Sequence, residues 1–449
     1  MARRATIALS ILGGLAVGAA STSCSSEEDG PSLVDTADAA PEAEAPSEAG
    51  PTLDAGDADA PTRDAAPFDG GPLPISCTSK PCVTSLVTTR PAVEYYFHEG
   101  YCALLDDGTV ACWGSNEFGQ LGRGDAAGPG DSATAMRVEG LSDVVQLDHT
   151  CAVDKDGGVW CWGTGAFLRN DSGASTTERT ALKLALPPAT RVATALDATC
   201  AVIDDGSVLC WGRNTNGLIA PLEVSAANAT LPPTPVAIPP GAPIRDLVLG
   251  KAAFAIREDG VTLSWGASPP LGRVSSMAPD SNPMAIPVAG LAALDTSTDN
   301  ACAAASGTGY CWGRAVTGLT VFDRIVPEPV VAPEPVVQIA TTQAFGRTVL
   351  GTVIRQPQRW CAVGASGAVY CWGFNGGGQA GDGTKDHAYE AVEVKGLPAP
   401  AVEVKTLPDS TCALLTTGKV FCWGTNYYGQ LGNGKIRTPS LVPQEVVLP

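Results

Sequence analysis

The chain has 449 residues and contains 47 Asp and Glu against 28 Lys and Arg, which gives a formal net charge of −19 at pH 7. This excess of negative charge argues against binding to nucleic acid, whose phosphate backbone requires a basic surface. With only 3 histidines, the chain also offers little material for general acid–base catalysis.

The N-terminus has the features of a secretory signal. Arg3 and Arg4 form a short basic start, and residues 5–20 are small and apolar, too short and too glycine-rich for a membrane span. Ser21-Thr22-Ser23-Cys24 then resembles the bacterial lipoprotein signal. We predict that residues 1–23 are a lipoprotein-type signal peptide and that Cys24 carries a lipid. The alternative is ordinary cleavage nearby, with Cys24 left over.

Residues 24–75 are predicted to be a disordered acidic linker. This stretch contains 13 Asp and Glu against a single basic residue, Arg63, and is otherwise rich in Ala, Pro and Gly. It has no periodic apolar face, so it cannot bury enough surface to offset the entropy of ordering. Most of the net negative charge therefore belongs to the tether, and the remaining domain, residues 76–449, is only mildly acidic.

A repeated Trp-Gly dipeptide organises residues 76–449. It recurs at intervals of about fifty residues, a period typical of propellers and solenoids, with Trp at positions 113, 162, 211, 265, 312, 372 and 423. Each copy contains two β-prone runs around a tight turn such as Asp107-Gly108 or Asp205-Gly206. This pattern predicts a β-hairpin in every copy.

Paired cysteines flank these turns. In a hairpin centred on the turn, residues ten apart lie opposite each other at roughly 4.5 Å between Cα atoms, close enough for a disulfide. The fourth copy has Phe254 and Ser264 in place of both cysteines, and joint loss is what a bonded pair predicts. We therefore predict seven disulfides, the last in a small loop before the first blade: Cys102–Cys112, Cys151–Cys161, Cys200–Cys210, Cys302–Cys311, Cys361–Cys371, Cys412–Cys422 and Cys77–Cys82.

Cysteine parity and the scarcity of histidine favour disulfides over a metal site. Of 15 cysteines, setting aside a lipidated Cys24 leaves an even number, as expected for an oxidised export. Zinc sites usually use closely spaced cysteine pairs or include histidine. We expect no metal, no cofactor and no catalytic residue.

The strand pattern predicts the fold class. Both faces of each hairpin are apolar, and each repeat adds another apolar strand and a short strand with proline, such as Pro235-Val236-Ala237-Ile238. A ring of blades covers both faces of every sheet. We predict an all-β, seven-bladed β-propeller of four-stranded antiparallel blades. Its ring would be closed by pairing of the N- and C-terminal strands, residues 92–97 and 443–448, within one blade.

The loops after Trp-Gly identify a family resemblance. Trp113-Gly-Ser-Asn-Glu-Phe-Gly-Gln-Leu-Gly122 and Trp423-Gly-Thr-Asn-Tyr-Tyr-Gly-Gln-Leu-Gly432 resemble the repeat of the regulator of chromosome condensation family. The resemblance covers about residues 90–449 and implies a seven-bladed propeller. The family's nucleotide exchange on a nuclear GTPase is not expected in an exported chain, whereas binding to other proteins is common among relatives. We interpret the shared loop as turn chemistry that serves the architecture.

Candidate binding residues occur where the repeat departs from its own consensus. An insertion between Ile339 and Trp360 carries Phe and Arg, and aromatic residues follow Trp-Gly in several copies. Such residues are typical contact anchors on loops, although they could equally cover neighbouring blades. The candidates are Phe118, Phe167, Phe345, Arg347, Arg355, Arg359, Tyr427 and Tyr428.

The sequence thus predicts a membrane-tethered, extracytoplasmic interaction domain without enzymatic activity. Its partner would be a protein, with no role for nucleic acid, and its lipid anchor at Cys24 would place it at the outer membrane or cell surface. The first alternative is a carbohydrate-binding or glycan-processing propeller, which a convergence of carboxylates from separate blades would favour. The second is a structural component of the cell surface.

Overall fold

A computed structural model describes residues 68, 70–89, 98–125, 128, 130–168, 175–222, 229–317, 320–349 and 352–449 of the chain. For residues 317, 345–349 and 352–355 it describes the backbone. The predicted signal peptide, Cys24, nearly all of the linker and the predicted strand at residues 92–97 lie outside the described residues.

The described residues form seven four-stranded antiparallel sheets, each built from one continuous part of the chain, and in six of them the four strands are consecutive. Blade 1 comprises β1 (Val83–Thr88), β2 (Gly100–Leu105), β3 (Val110–Gly114) and β4 (Ser132–Arg137). Blade 2 comprises β5 (Val144–Asp148), β6 (Cys151–Asp154), β7 (Val159–Gly165) and β8 (Thr176–Lys183). Blade 3 comprises β9 (Ala189–Thr194), β10 (Ala198–Ile203), β11 (Val208–Arg213) and β12 (Thr230–Val236). A 3₁₀ turn, Ala166–Leu168, follows β7.

Blade 4 comprises β13 (Ile244–Leu249), β14 (Ala252–Arg257), β15 (Thr262–Gly266) and β16 (Asp280–Ala285). Blade 5 comprises β17 (Leu291–Thr296), β18 (Asn300–Ala305), β19 (Thr308–Thr317) and β20 (Thr320–Pro329). Blade 6 comprises β21 (Val336–Thr341), β24 (Arg359–Gly364), β25 (Val369–Gly373) and β26 (Ala388–Glu393), with an additional hairpin, β22 (Phe345–Val349) and β23 (Thr352–Gln356). Blade 7 comprises β27 (Ala401–Thr406), β28 (Ser410–Leu415), β29 (Val420–Gly424) and β30 (Ser440–Glu445).

The seven-bladed all-β architecture is confirmed, but the ring closes differently from the prediction. The first strands of successive blades pack against one another around the ring, and β1 packs against β27. Blades 1 and 7 are each complete, so the predicted blade shared by both termini is wrong. The reason is the partner of the proline-containing strand: β12, for example, pairs with β11 as the outermost strand of its own blade instead of opening the next one.

The cysteines pair as the hairpin geometry requires. In five blades the two cysteines are direct cross-strand partners ten residues apart, with Cα atoms 4.0 to 4.1 Å apart. Cys302–Cys311 is one residue shorter, and Ser306 and Gly307 form its tight turn with φ of 48° and 78°. Cys77–Cys82 completes the seven disulfides. In blade 4, Phe254 and Ser264 occupy the same opposed positions.

The tryptophans of the repeat join neighbouring blades. The indole N–H of the Trp in one blade donates to a backbone carbonyl in the loop of the preceding blade at 2.7 to 3.0 Å, and the described pairs are Trp113–Gln430, Trp162–Gln120, Trp211–Phe167, Trp265–Leu218, Trp312–Pro270 and Trp423–Gln379. Within the loop, Asn116 Oδ1 accepts from Leu121 N–H at 3.0 Å, and Gln120 Oε1 accepts from Phe118 N–H at 2.8 Å. These contacts give the family motif an architectural role.

The two faces of the ring differ in what they carry. Because the strands alternate in direction, connections between the first and second strands lie on the same face as the loops after Trp-Gly, here called the upper face. The lower face carries the hairpin turns and the connections between blades. An N-terminal strap, residues 70–82, crosses the lower face, with Ser76 N–H donating to Thr416 O at 2.6 Å and Asp106 N–H donating to Cys82 O at 2.8 Å.

Candidate functional site

The connections between first and second strands differ sharply in length around the upper face. They are two or three residues long in blades 2, 3, 4, 5 and 7, but residues 89–99 connect the strands of blade 1 and residues 342–358 connect those of blade 6. Long loops on a rigid scaffold are where recognition usually occurs. The upper face is therefore the side on which this chain departs from a plain propeller.

A cavity of about 270 Å³ opens at the centre of the upper face. All seven connections contribute to its wall, and residues that represent different blades include His98, His149, Leu196, Lys251, Thr298, Gln343 and Leu407. A second cavity, lined by Val145, Arg191 and Arg245 among others, lies at the lower end of the ring axis.

The cations that line the upper cavity are paired with carboxylates. Lys251 Nζ lies 3.0 Å from Asp299, and Arg213 Nη1 lies 3.8 Å from Asp197. Lys405 Nζ, on the first strand of blade 7, lies 3.2 Å from Glu403. The charges of the wall are thus compensated within the protein.

Lys405 lies on an inner strand, below the connections that form the mouth of the cavity. Burial alone would lower the pKa of Lys405, but Glu403, Asp295 and Asp148 together raise it above its usual value. Because these carboxylates come from blades 7, 5 and 2, the ammonium group is held in the interior of the ring by groups on several sides. It remains charged at any physiological pH.

Glu99 connects blade 1 to blade 7 at the edge of the cavity. Its Oε1 accepts from Asp409 N–H at 2.6 Å, and its Oε2 accepts from Ser410 Oγ at 2.5 Å. Burial first, and then the neighbouring Asp409, raise the pKa of Glu99 to about 8. Both oxygens are therefore used to hold two connections together, which is a structural use of this carboxyl.

The sequence carries a signal for this arrangement outside the Trp-Gly and cysteine positions. The residue three positions before the first cysteine is acidic in five copies, namely Glu99, Asp148, Asp197, Asp299 and Asp409. In these five blades the residue lies on the upper face, in or beside the connection between the first and second strands. A ring of acidic groups around the axis could have been predicted from it.

Arg359 is not the surface contact that the sequence predicted. Its side chain is 1% exposed, and Nη2 donates to the carbonyls of Leu407 at 2.8 Å and Ser410 at 2.9 Å. Burial lowers the pKa of Arg359 to about 10. Arg359 is the first residue of β24, two positions before Cys361, and therefore belongs to the repeated hairpin of the blade and not to the insertion.

Phe167 is also buried, at 3% exposure, because it belongs to the 3₁₀ turn whose carbonyl accepts from Trp211. It supports the seam between blades 2 and 3 and does not present its ring on the surface. The prediction that Phe167 is a contact residue therefore does not agree with its position.

Three of the predicted aromatic residues do come together. The ring of His98 lies 5.3 Å from the ring of Phe118, edge to face, and 5.2 Å from the ring of Tyr428. Tyr427 is adjacent and 60% exposed. We call His98, Phe118, Tyr427 and Tyr428 the aromatic patch. It adjoins the cavity, because His98 also lines the cavity wall.

Phe345, Arg347 and Arg355 belong to the additional hairpin of blade 6. The backbone places Phe345 opposite Gln356 and Arg355 opposite Gly346 on the upper face. Their side chains lie outside the described part of the structure. The hairpin thus confirms a structured insertion at this place, and the role of the three side chains remains a prediction.

Blade 5 carries a second projection that the sequence did not reveal. β19 and β20 are 10 residues each, and their pairing continues from Tyr310↔Pro329 to Thr317↔Thr320 in place of the usual loop. Gln358, at the base of the blade 6 hairpin, accepts from Val316 N–H at 3.0 Å. The two projections therefore stand side by side and raise one side of the upper face.

Two other findings concern chemistry and membranes. Within the described ranges, no group of three His, Cys, Asp or Glu residues is placed to hold a metal ion. Among the same residues, no helix is long and apolar enough to cross a bilayer.

Comparisons with known proteins agree with this architecture. The model of the regulator of chromosome condensation (RCC1) repeat matches residues 96–120, 147–173 and 409–430. The E3 ubiquitin-protein ligase HERC2 of Homo sapiens is 27% identical over 249 residues, which cover 43% of this chain but 5% of HERC2. The Ultraviolet-B receptor UVR8 of Arabidopsis thaliana is 35% identical over 79 residues, 17% of this chain and 18% of UVR8. The chain thus spans a small part of these relatives.

Solved structures with the same fold include Prp20p from Saccharomyces cerevisiae, a protein that binds Gsp1p and histones. It has a TM-score of 0.61 and 18% identity and covers 80% of this chain and 90% of Prp20p. Yeast RCC1 (Prp20) with Kap60 bound gives the same TM-score and identity, with coverages of 80% and 87%. At this identity the likeness shows the fold alone. The chain is therefore a seven-bladed β-propeller that carries regulator of chromosome condensation repeats.

Proposed function

We propose that this protein is a tethered, non-enzymatic domain that binds another protein outside the cytoplasm through its upper face. The observation that carries the proposal is the structural difference between the two faces of the ring. The upper face combines the two projections of blades 5 and 6 with the aromatic patch on the adjoining blades 7 and 1. Irregular projections and exposed aromatic side chains are the features that binding surfaces use.

The lower face supports the same orientation. The N-terminal strap crosses it, and Phe68, just before the strap, packs against Gly307 in a lower-face turn of blade 5. The chain therefore enters the propeller from below. Part of the lower face is thus covered by this chain's own N-terminal segment, which leaves the upper face as the one available to a partner.

The disulfides support a compartment outside the cytoplasm. Disulfides persist in oxidising compartments and are rare in the cytosol, and six of the seven blades here contain one. Lipidation of Cys24 and retention at the outer membrane or cell surface remain part of the proposal. Replacement of Cys24 by Ala should abolish labelling with radioactive palmitate in the source organism and should move the protein from the membrane fraction to the soluble fraction.

The absence of enzymatic activity is proposed from the use made of the carboxylates. Most glycoside hydrolases use a pair of carboxyl groups, one as an acid and the other as a base or nucleophile. Near the cavity, Glu99 uses both oxygens in the contact between blades, and Asp197 and Asp299 are engaged with cations. Among proteins of the same fold, yeast Prp20p binds Gsp1p and histones and has been solved with Kap60 bound, which supports a binding role.

The test uses the full chain with Cys24→Ser, oxidised and immobilised, against envelope extract of the source organism. Captured proteins are identified and purified, and their affinities are measured against three variants. The first replaces residues 345–356 by Gly-Gly, which is feasible because Phe345 and Gln356 are cross-strand partners. The second is Tyr427→Ser on the upper face. The matched control is Val145→Ser, which is 59% exposed at the lower end of the axis.

We expect a saturable complex that either upper-face variant weakens by about tenfold or more, while Val145→Ser leaves it unchanged. A complex that the lower-face control weakens equally would contradict the proposed face. Binding to glycans without a protein partner would support the carbohydrate alternative. Absence of any saturable ligand would leave a structural role at the cell surface.

A further inference from the structure

The wall of the upper cavity combines hydroxyl groups with small apolar surfaces. Nine of the residues that line it carry a hydroxyl: Thr88, Thr89, Thr215, Thr296, Ser297, Thr298, Thr341, Thr342 and Thr406. Leu196, Leu218, Leu407 and Pro408 contribute carbon surface between them. Such a wall suits a ligand that has an apolar C–H face and many hydroxyl groups at its edges, because both kinds of surface are then satisfied.

The charges of the wall disfavour an ionic ligand. Each lining cation already faces a carboxylate, as Arg213 does with Asp197 and Lys251 with Asp299. A charged ligand would have to compete with these partners and would leave a charge poorly compensated in a partly buried place. A neutral ligand avoids this cost. Its hydroxyl groups can donate to the threonine oxygens, most of which already donate within the protein, as Thr296 does to Leu249 O and Thr298 does to Gln343.

The cavity is open in one direction and continues into the aromatic patch. Lys405 and its carboxylate partners occupy the interior of the ring, and the cavity around Val145 at the lower end is separate. On the upper side, His98 lines the wall and contacts Phe118 and Tyr428, with Tyr427 exposed beyond them. An oligomeric ligand whose first ring lies in the cavity would extend over these aromatic faces, against which C–H surfaces pack well.

We propose that the upper cavity binds a neutral saccharide, with one sugar ring inside and the following ring on the aromatic patch. Its volume of about 270 Å³ lies at the small end of ligand sites, which suits one ring and not a larger cofactor. The inference does not rest on the protein partner proposed above, since it concerns a small ligand inside the ring.

The test uses the full chain with Cys24→Ser and two matched sets of short oligosaccharides. N-acetylglucosamine oligomers are compared with their de-acetylated, cationic forms, and methyl-esterified galacturonic acid oligomers with their anionic acids. Affinity is measured by titration calorimetry. Labelled threonine methyl groups, assigned by single Thr→Ser replacements, report by NMR whether Thr215 and Thr298 sense the ligand.

Two bulky substitutions locate the ligand. Leu196→Trp fills the mouth of the upper cavity from a short turn, and Val145→Trp places the same side chain at the lower end of the axis. We expect Leu196→Trp to weaken binding by about tenfold or more and Val145→Trp to leave it unchanged. Tyr427→Ala should weaken the disaccharide by about threefold and leave the single sugar unaffected.

Saturable binding of a neutral member, with shifts at Thr215 and Thr298, would support the proposal even if Leu196→Trp failed to fold. The proposal would be overturned if the charged members bound more tightly than the neutral ones, or if no neutral member bound. It would equally be overturned if binding survived in a folded Leu196→Trp variant. Capture of a protein partner, with or without sugar binding, tests the proposed function separately.

Discussion

Trp113 of blade 1 donates its indole N–H to the backbone carbonyl of Gln430 in blade 7 at 3.0 Å. The same bond joins Trp265 to Leu218 between blades 4 and 3, at 2.9 Å. Both indoles are fully buried. The junction at which the chain ends meet is therefore built with the same contact as an internal junction, without a shared blade.

The first prediction compares these two junctions. Trp113→Phe and Trp265→Phe each remove a buried indole N–H, leave a carbonyl unsatisfied and open a small cavity, so each should lower the free energy of unfolding by about 2–4 kcal/mol. Because the two contacts are alike, their costs should agree within about 0.5–1 kcal/mol. Guanidinium denaturation of the oxidised full chain measures both. A much larger cost at Trp113 would mean that ring closure depends on a special junction.

The second prediction concerns the buried ion pair in blade 4, the blade without a disulfide. Arg273 Nη1 lies 2.8 Å from Asp280 Oδ2, with side chains 8% and 5% exposed, and Arg273 also donates to Ser264 at the position of the missing cysteine. Burial alone would raise the pKa of Asp280, but hydrogen bonds from Asn282, Ser275 and Arg273 lower it to about 2.

Asp280→Asn should therefore destabilise the protein by about 3 kcal/mol at pH 7, because it leaves a buried guanidinium unpaired. Since the pKa of Asp280 is lower in the folded state than its usual 3.8, its contribution is present above pH 3.8 and is lost as the pH falls toward 2. The free energies of unfolding of the variant and the wild type, measured by denaturation, should therefore converge at acidic pH. Asp323→Asn, in the half-exposed pair with Arg314, should cost less than about 1 kcal/mol and serves as the control.

The third prediction restores the cysteines of blade 4. Phe254 and Ser264 are direct cross-strand partners, so Phe254→Cys with Ser264→Cys should form a disulfide, detectable by non-reducing peptide mapping. Stability should nevertheless fall by about 2–4 kcal/mol, since Phe254 is fully buried against Trp312 and its removal leaves a cavity. A double variant more stable than the wild type would show that packing around Phe254 does not replace the missing bridge.

Local features of the sequence predicted much of this fold, because a hairpin and its disulfide depend on residues close in the chain. The Asp-Gly turns, the cysteine spacing and the Trp-Gly period were sufficient for the blades. The predicted ring closure is wrong because a proline-containing strand has the same sequence pattern whether it ends one blade or opens the next. The pairing partner of β12 decides between the two, and that partner is a tertiary property.

The candidate site was harder to predict, because it is assembled from all seven blades. Its place at the end of a long insertion suggests that Arg359 is a surface residue, whereas its alignment with the second-strand positions Gly100 and Ala198 places it inside. The projection of blade 5, formed by β19 and β20, has no unusual composition that would distinguish it in the sequence from the loop it replaces. The sequence therefore predicts three residues of the aromatic patch, Phe118, Tyr427 and Tyr428, but neither His98 between them nor the cavity beside them.

The last prediction concerns the pH dependence of the contact between blades 1 and 7. Burial raises the pKa of Glu99 from 4.5 to about 8, so folding favours the protonated carboxyl. The stability that this gives is complete below pH 4.5 and is lost as the pH rises toward 8. Glu99→Gln imitates the protonated form, because its oxygen can accept from Asp409 N–H and its amide can donate to Ser410 Oγ. The variant should match the wild type at pH 5.

At pH 9 the wild type must carry a buried carboxylate beside Asp409, and the variant should then be more stable by on the order of 1–3 kcal/mol. Denaturation at pH 5, 7 and 9 measures the trend, and the exposed Glu139→Gln serves as the control. The difference in unfolding free energy between variant and wild type should grow with pH for Glu99→Gln and should not change for Glu139→Gln. If it stayed constant, or if the variant were less stable at pH 9, the carboxylate would be the form that holds these blades together, with Arg359 rather than a proton as its essential partner.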